Sequence, residues 1–371
     1  MTAPIMHVPF LNLAAQHESL RNELLPVVEQ TLASGHYILG PNVEALEKEV
    51  AGLAGTRFGV GVNSGSDALT LALRALEIGR GDEVITTPFT YIAPAESAYQ
   101  MGARIIFADI DPRSFNLAPE DVARRITPRT KAIIPVHLFG QPAPLNELMA
   151  LAEPGGVHIV EDCAQAIGAT YHGAPVGQFG RMGCFSFYPT KNLGADGDGG
   201  MVVTSDESLA KKLRMLRGHG VARRYFHELH GYNSRLDELQ AAILRVKLAH
   251  LKNWNARRVE IAERYQTGLQ DLPLELPISA PGNTHVFHVY AVLAKWRDEL
   301  QKFLADRGVH TIIYYPQPLH LQKVYLDLGH RAGDFPVAED VAKRILPLPM
   351  YPELSDEQVD YVIQTVRQFP F

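Results

Sequence analysis

The chain has 371 residues, 46% hydrophobic and 20% charged, and its 35 basic against 41 acidic side chains give a net charge of −6. It is too apolar for a disordered protein, too acidic for a non-specific binder of nucleic acid, and has no polybasic block for an anionic membrane. No apolar run reaches the roughly 18 residues that span a bilayer, and Met1–Phe10 lacks the basic start and apolar core of a secretory signal. A cytoplasmic chain of two domains is therefore expected, at about 150 residues per domain. Two cysteines, Cys163 and Cys184, are too few for a disulfide framework or a four-cysteine zinc site and read as buried free thiols.

The first expected element is a helix over Pro41–Leu53, because Pro41 suits the first helical position and Val43, Leu46, Val50 and Leu53 share a face. Strands and helices then alternate: strand Phe58–Val62, helix Ser66–Glu77, strand Glu83–Thr86, helix Pro94–Met101, strand Arg104–Ala108, helix Ala118–Arg125, strand Lys131–Val136, helix Leu145–Ala152 and strand Val157–Val160. Two more strands follow, Cys184–Tyr188 and Met201–Thr204. Short apolar strands separated by helices indicate an α/β chain whose parallel or mixed sheet is covered on both faces. Beyond Asp206 the pattern changes. Leu236–Leu251 is strongly helical, with a pattern that runs on to about Leu269. A smaller α+β region then reads as strand His285–Leu293, helix Asp298–Asp306, a Pro-rich loop Tyr314–His320, and closing helices Phe335–Ile345 and Ser355–Phe369. The expected division is a large domain over 1–250 and a small C-terminal domain over 251–371.

In open α/β sheets ligands collect beyond the carboxyl ends of the strands, and four segments there carry chemistry. Asn63-Ser64-Gly65-Ser66-Asp67 joins a strand to a helix, where free N–H groups and the helix dipole favour a phosphate; a plain N-cap by Ser66 or Asp67 is the simpler alternative. Glu161-Asp162 ends an apolar strand. Two carboxylates there are costly to bury without a cation, so either a cationic partner or a cap with a solvated Glu161 is expected. Lys191 follows the aromatic run Phe185-Ser186-Phe187-Tyr188 and precedes a glycine-dense turn; a desolvated lysine there has an amine free for Schiff-base chemistry. Tyr91, after Pro88-Phe89-Thr90, either stacks on a flat ligand or packs in the core. A phosphate cradle, an aromatic face, an acid and a lysine at successive strand ends are what pyridoxal 5'-phosphate requires.

The ordered motifs Ser-Gly-Ser-Asp-Ala-Leu (64–69), Glu-Asp-Cys-Ala-Gln (161–165), Ser-Phe-Tyr-Pro-Thr-Lys-Asn (186–192) and Gly-Tyr-Asn-Ser-Arg-Leu-Asp-Glu-Leu-Gln-Ala-Ala (231–242) resemble those of the DegT/DnrJ/EryC1/StrS sugar aminotransferases. The resemblance implies the fold-type I architecture of pyridoxal-phosphate enzymes, with a large mixed-sheet α/β/α domain, a smaller C-terminal α+β domain, and homodimers or larger assemblies. It implies that Lys191 bonds the cofactor and shuttles a proton, that Asp162 pairs with the pyridinium nitrogen, that Gln165 approaches the ring hydroxyl and that Tyr91 covers the ring. Gly65, Ser66 and Ser186 would hold the phosphate, joined by Asn233 of a neighbouring subunit. Arg235, Tyr314 and Tyr315 would face the sugar nucleotide, and His320 would either join them or simply pack in the fold. Related dehydratases carry histidine at the lysine position; Lys191 speaks for amino transfer, with L-glutamate as the expected donor. The Gly197-Asp-Gly-Gly turn resembles 3-aminotransferases, where many 4-aminotransferases have Gly-Glu-Gly-Gly. A 3-keto sugar nucleotide is thus the expected substrate, with a 4-keto one or a non-catalytic regulatory role as alternatives.

Other signals point elsewhere and fall short. Gly59-Val-Gly61 begins a dinucleotide fingerprint, but Ser64 stands where its third glycine belongs, and no P-loop motif is present. His227-Glu-Leu-His230 is one residue short of the helical zinc motif, so no metal is expected. Arg223-Arg-Tyr-Phe226 could contact a substrate diphosphate or form a solvated loop.

Overall fold

The alternating pattern folds into a seven-stranded sheet in the computed structural model, which describes residues 6–371. Helices α1 (Leu13–Ser34) and α2 (Pro41–Leu53) lead into β1 (Phe58–Val62), α3 (Gly65–Ala75), β2 (Glu83–Thr86), α4 (Ala93–Gln100), β3 (Arg104–Phe107), α5 (Pro119–Arg125), β4 (Thr130–Ile133), α6 (Leu145–Ala152) and β5 (His158–Asp162). A small hairpin, β6 (Thr170–Tyr171) and β7 (Ala174–Pro175), precedes β8 (Met182–Ser186), β9 (Gly200–Thr204) and α7 (Glu207–Leu216). The strand order is β1-β9-β8-β5-β4-β2-β3. The β2–β3, β2–β4, β4–β5 and β5–β8 pairs are parallel, whereas β9 runs antiparallel to both β1 and β8. The reversal of β9 brings its first residue, Gly200, opposite Val62 and Ser186. One rim of the sheet therefore gathers the carboxyl ends of β1, β2, β4, β5 and β8.

The rest of the chain comprises β10 (Val221–Arg223), β11 (Phe226–His227), the 32-residue helix α8 (Glu238–Leu269), β12 (Tyr290–Leu293), α9 (Arg297–Ala305), α10 (Pro336–Arg344), β13 (Ile345–Leu348) and α11 (Asp356–Arg367). Residue 250 lies inside α8, which spans about 48 Å at 1.5 Å per residue. Leu244 and Leu251 pack with Val43, Leu46 and Phe187 against the sheet, while Ile261, Tyr265 and Leu269 pack with Val292, Leu346 and Val362 in a second core. The helix passes unbroken from one core to the other. Val8 joins the second core, bridging to Val309, and Ala338 and Val341 of α10 return to the first. Each core thus draws on distant parts of the chain.

Several elements depart from the sequence pattern. Helix α1 buries only Leu20, Leu24 and Thr31, contains Pro26, and leaves Leu13, Leu25 and Leu32 exposed, so its apolar residues form no single stripe. Helix α7 was readable: Asp206 caps it and Leu209, Leu213 and Leu216 line one face. The helix expected over Phe335–Ile345 ends at Arg344, and Ile345 instead opens strand β13, paired with β12; Pro347 is tolerated there because a two-stranded sheet has only edges. The strand expected over His285–Leu293 is regular only from Tyr290, because the preceding residues bond to a turn: Val286 N–H donates to Gly140 O (3.1 Å) and Val289 N–H to Phe139 O (3.3 Å). Strand β5 extends two residues further than expected and includes Glu161 and Asp162. Gly59 and Gly61 lie within β1, where a Cβ on Gly59 would meet Glu47 O at 2.4 Å; close packing of α2, not a dinucleotide, accounts for that glycine.

Candidate active site

The rim encloses a cavity of about 380 Å3. Its lining includes Gly65 and Ser66 from α3, Tyr91 after β2, Asp162 and Gln165 from β5 and its extension, and Ser186 and Lys191 from β8 and the turn beyond. Tyr314 and Tyr315 close it from the Pro-rich loop. Nine of the expected residues, contributed by segments far apart in the chain, thus share one cavity.

At the phosphate end, Ser64 caps α3: its Oγ accepts from Asp67 N–H at 3.0 Å. The cap therefore lies two residues before Ser66 and three before Asp67, and Asp67 instead accepts from Ser234 Oγ at 2.6 Å. The amides of Gly65 and Ser66 have no intrahelical acceptor, as at any helix start. A Cβ on Gly65 would stand 2.5 Å from the Ser186 Cβ, so only glycine lets α3 and β8 approach this closely.

At the other end, β5 places two carboxylates on opposite faces. Glu161 is fully buried and accepts from Gly177 N–H, Phe179 N–H and Gly180 N–H, each at 2.8 Å, and lies 3.1 Å from His137 Nε2. It is neither solvated nor paired with a cation such as lysine or arginine. Asp162 turns to the cavity, where Ala164 N–H, at 3.0 Å, is the one partner of its side chain among the described residues. Burial raises its pKa above the ordinary carboxylate value, opposed by the Ala164 hydrogen bond and the Lys191 charge. Burial also pushes Lys191 down to about 8, with Asp162 opposing the shift. Gln165 accepts from Phe139 N–H at 2.7 Å and donates to the Tyr315 hydroxyl at 3.2 Å, which fixes its amide beside the cavity. Tyr91 is 60% exposed, which rules out a packed core aromatic and leaves its ring open to a ligand.

Three expected residues do not line this cavity. Asn233 is exposed and Arg235 half-buried on the segment before α8. His320 is a correction: it is fully buried, Nε2 lies 3.1 Å from Glu339 Oε1, and the ring packs 4.6 Å from that of Phe335. It helps lock the loop to α10 rather than meeting a ligand. Conversely, Asp198 and His288 line the cavity. Asp198 belongs to the Gly-Asp-Gly-Gly turn already singled out. His288 carried no sequence signal, because it lies in a segment patterned as a strand. Arg223-Arg-Tyr-Phe226 forms the exposed tip of the β10–β11 hairpin, with Arg223 stacked 4.0 Å from the Phe226 ring.

The residues present fit pyridoxal 5'-phosphate. The second oxygen of Asp162 has no donor among the described residues and suits a pyridinium N–H. The Gly65 and Ser66 amides with Ser186 suit a phosphate. His137, Glu161 and Cys163 also approach one another, but Ala143 N–H donates to His137 Nδ1 and Glu161 already has four partners, so these atoms are committed to the protein. Cys163 and Cys184 are buried free thiols.

The model of the DegT/DnrJ/EryC1/StrS aminotransferase family matches residues 18–367. A protein of Acidithiobacillus ferrooxidans named UDP-N-acetyl-3-dehydro-alpha-D-glucosamine 3-aminotransferase is 49% identical over 362 residues, 97% of each chain. The pleiotropic regulatory protein of Geobacillus stearothermophilus is 47% identical over 98% of this chain and 99% of its own. Among solved structures, DesV of S. venezuelae in complex with a ketimine intermediate superposes with a TM-score of 0.96 at 48% identity, covering 98% of both chains. NtdA of Bacillus subtilis with bound cofactor PMP gives a TM-score of 0.92 at 31% identity, covering 99% of this chain and 86% of its own.

Proposed function

Because the chain belongs to the DegT/DnrJ/EryC1/StrS aminotransferase family, we propose that it transfers an amino group from L-glutamate to carbon 3 of a keto-sugar nucleotide, using pyridoxal 5'-phosphate bound at Lys191. The observation that carries this reading is one cavity lined by a desolvated lysine, a buried carboxylate with an unmet oxygen and a helix start with free amides. When bound, the cofactor supplies an aldehyde carbon that carries nitrogen between two substrates and a ring that takes up the electron pair released at the reacting carbon. The chain supplies the rest. Asp162 holds a proton on the ring nitrogen, which keeps that ring electron-poor. The Lys191 amine, near neutrality once freed, takes a proton from one carbon and returns it to another. Tyr91 covers one ring face, and Gln165 fixes the ring hydroxyl. Gly65, Ser66 and Ser186 anchor the phosphate so that the reacting atoms keep one orientation.

Two observations support carbon 3. Asp198, from the turn that resembles 3-aminotransferases, lines the cavity, and the relative from Acidithiobacillus ferrooxidans is named a 3-aminotransferase. Tyr314 and Tyr315 provide the wall against which the sugar sits. Asn233 and Arg235 complete the site of a second copy in a cytoplasmic homodimer, because neither lines the cavity of its own chain. Among the described residues no helix is long and apolar enough to cross a membrane.

The test is the near-ultraviolet and visible spectrum of the purified protein before and after L-glutamate. A yellow band that glutamate converts to the pyridoxamine form is expected, followed by its return on adding a 3-keto sugar nucleotide. No band after supplying the cofactor would overturn the reading. Return of the band only with a 4-keto substrate would move the reaction to carbon 4. A regulatory reading is favoured by the names of two relatives alone, one regulatory and one of sensory transduction, and the absence of any DNA gel shift at low salt would remove it.

A further inference from the structure

Lys191 and Asp198 both line the cavity, and the turn between them leaves its wall and lies against helix α8. Three polar side chains, spaced about two helical turns apart, receive it there. Gln240 Oε1 accepts from Asp196 N–H at 2.9 Å. Lys247 Nζ donates to Gly194 O at 2.9 Å and to Asp196 Oδ1 at 2.6 Å. Asn255 Oδ1 accepts from Asn192 Nδ2–H at 2.8 Å, and Asn255 Nδ2 donates to Ile167 O at 3.0 Å. Leu193 and Ala195 pack with Ala241, Leu244 and Leu251 of the same helix. Lys247 is the anomaly in this set. It is 4% exposed, and it stands between Leu244 and Leu251, which belong to the core. An apolar side chain would serve the packing as well or better, because an ammonium taken out of water must be paired. Its partner Asp196 is 44% exposed and could be solvated instead. What the lysine adds to the helix is therefore a grip on two atoms of the turn that follows Lys191.

We propose that Lys247 is a positioning residue for the reaction: by holding Gly194 and Asp196 against α8, with Gln240 and Asn255 on either side, it keeps the turn between Lys191 and Asp198 in one shape and the Lys191 amine in one desolvated place. The inference rests on the reading of Lys191 as the cofactor lysine. An amine that carries a proton between carbons must return to the same position at each transfer, and a turn tied at three points to a helix that runs through both cores gives it that constancy.

The test reads the pH midpoint for carbamylation of Lys191 by cyanate in the full-length protein without cofactor, by mass spectrometry of its peptide. Burial holds this amine at about 8 against an ordinary 10.5, so a turn that loosens and admits water should raise the midpoint. Lys247→Met and Asp196→Ala should each raise it by about one pH unit. The two substitutions remove opposite charges, so an effect carried by charge alone would move the midpoint up in the first and down in the second. A rise in both reports the shape of the turn. Asp162, Asp198, His288 and four tyrosines also line the cavity and are the same in every variant. Asp196→Asn keeps an acceptor for Nζ and should stay within about 0.3 unit of the unaltered protein. With cofactor bound, the half-reaction with L-glutamate should slow by about tenfold in Lys247→Met and Asp196→Ala, because the amine no longer holds one orientation. Shifts in opposite directions, or an unmoved midpoint, would overturn the proposal and leave Lys247 a residue of the fold alone. Should Lys247→Met fail to fold, Asp196→Ala carries the test together with Gln240→Leu, which removes no charge; both should raise the midpoint, and a fall or no change in either would overturn the proposal. No yellow band in the unaltered protein after cofactor is supplied would sink the reading of Lys191 instead, since the midpoints are read without cofactor.

Discussion

Glu161 and Asp162 are adjacent on β5 and both buried, yet their surroundings differ completely. Glu161, on one face of the sheet, has three amide donors and a histidine, while Asp162, on the other, has a single amide. A charge that serves the fold is saturated with donors, because a buried carboxylate without them would cost several kcal/mol. A charge kept for chemistry is left short of partners, and the deficit appears as a raised pKa. Lys191 follows the same rule on the cavity side: it is desolvated and has no acceptor among the described residues. The incomplete satisfaction of two opposite charges across one cavity marks the site more surely than either residue type.

The sharpest way to break this contrast is to remove the lysine. Lys191→Ala should reduce turnover by about 10⁴-fold or more, since the group proposed both to anchor the cofactor and to carry the proton would be lost. Its cofactor-free form should be no less stable, because a desolvated cation has gone. Single-turnover assays and thermal melts of the cofactor-free protein would check both. Next come the two carboxylates as a matched pair. Asp162→Asn should cost about 10³-fold in turnover with the fold intact. Glu161→Gln should do the reverse: a loss of about 3 kcal/mol in urea unfolding, because an NH2 group would face amide donors, with near-normal turnover per folded molecule. If Glu161→Gln instead spared stability and abolished turnover, the division between the two faces would be wrong.

How far this contrast was legible in the sequence depended on where each signal lay. Asp162 and Lys191 stand out because charged residues at the ends of apolar strands demand an explanation, and the alternating pattern locates those ends. The saturation of Glu161 was not legible, since its donors come from a turn at 177–180 and from His137, which only the folded sheet brings beneath it. His288 was hidden for a related reason. Its segment alternates like a strand but is pulled off register by the turn at Phe139 and Gly140. His320 shows the opposite limit: for a polar residue in a Pro-rich loop ligand contact and packing both stay open, and only the fold shows that Glu339 and Phe335 draw it inside. Local pattern reports which face of an element is buried; it does not report which loop closes over which strand end.

A smaller effect follows from the titration of Lys191. Folding lowers its pKa from 10.5 to about 8. Between these values the unfolded chain holds more protons than the folded one, so stability should rise with pH across that window and show no slope from Lys191 below it. Urea unfolding of the cofactor-free protein at several pH values, compared with Lys191→Met, isolates the contribution: the difference between the two proteins should change from about pH 8 upward. A difference that does not vary with pH would mean that the amine is solvated, and the contrast with Glu161 would lose its basic half.

The smallest effect concerns the helix start that both roles share. Ser64 satisfies the Asp67 amide while leaving those of Gly65 and Ser66 free, so it separates the structural donor of a single helix turn from those proposed to bind the ligand. Ser64→Ala removes one side-chain acceptor and should cost about 1 kcal/mol of stability. The two free amides are backbone groups that a side-chain change does not remove, and cofactor retention should therefore weaken less than in Ser186→Ala, which deletes the hydroxyl proposed to hold the phosphate. Measured together by urea unfolding and equilibrium dialysis of the cofactor, the two serines should show their effects on opposite readouts. Should Ser64→Ala release cofactor more readily than Ser186→Ala, the cap oxygen itself would be part of the phosphate cradle, and the line between saturated and reserved groups would run through that serine rather than beside it.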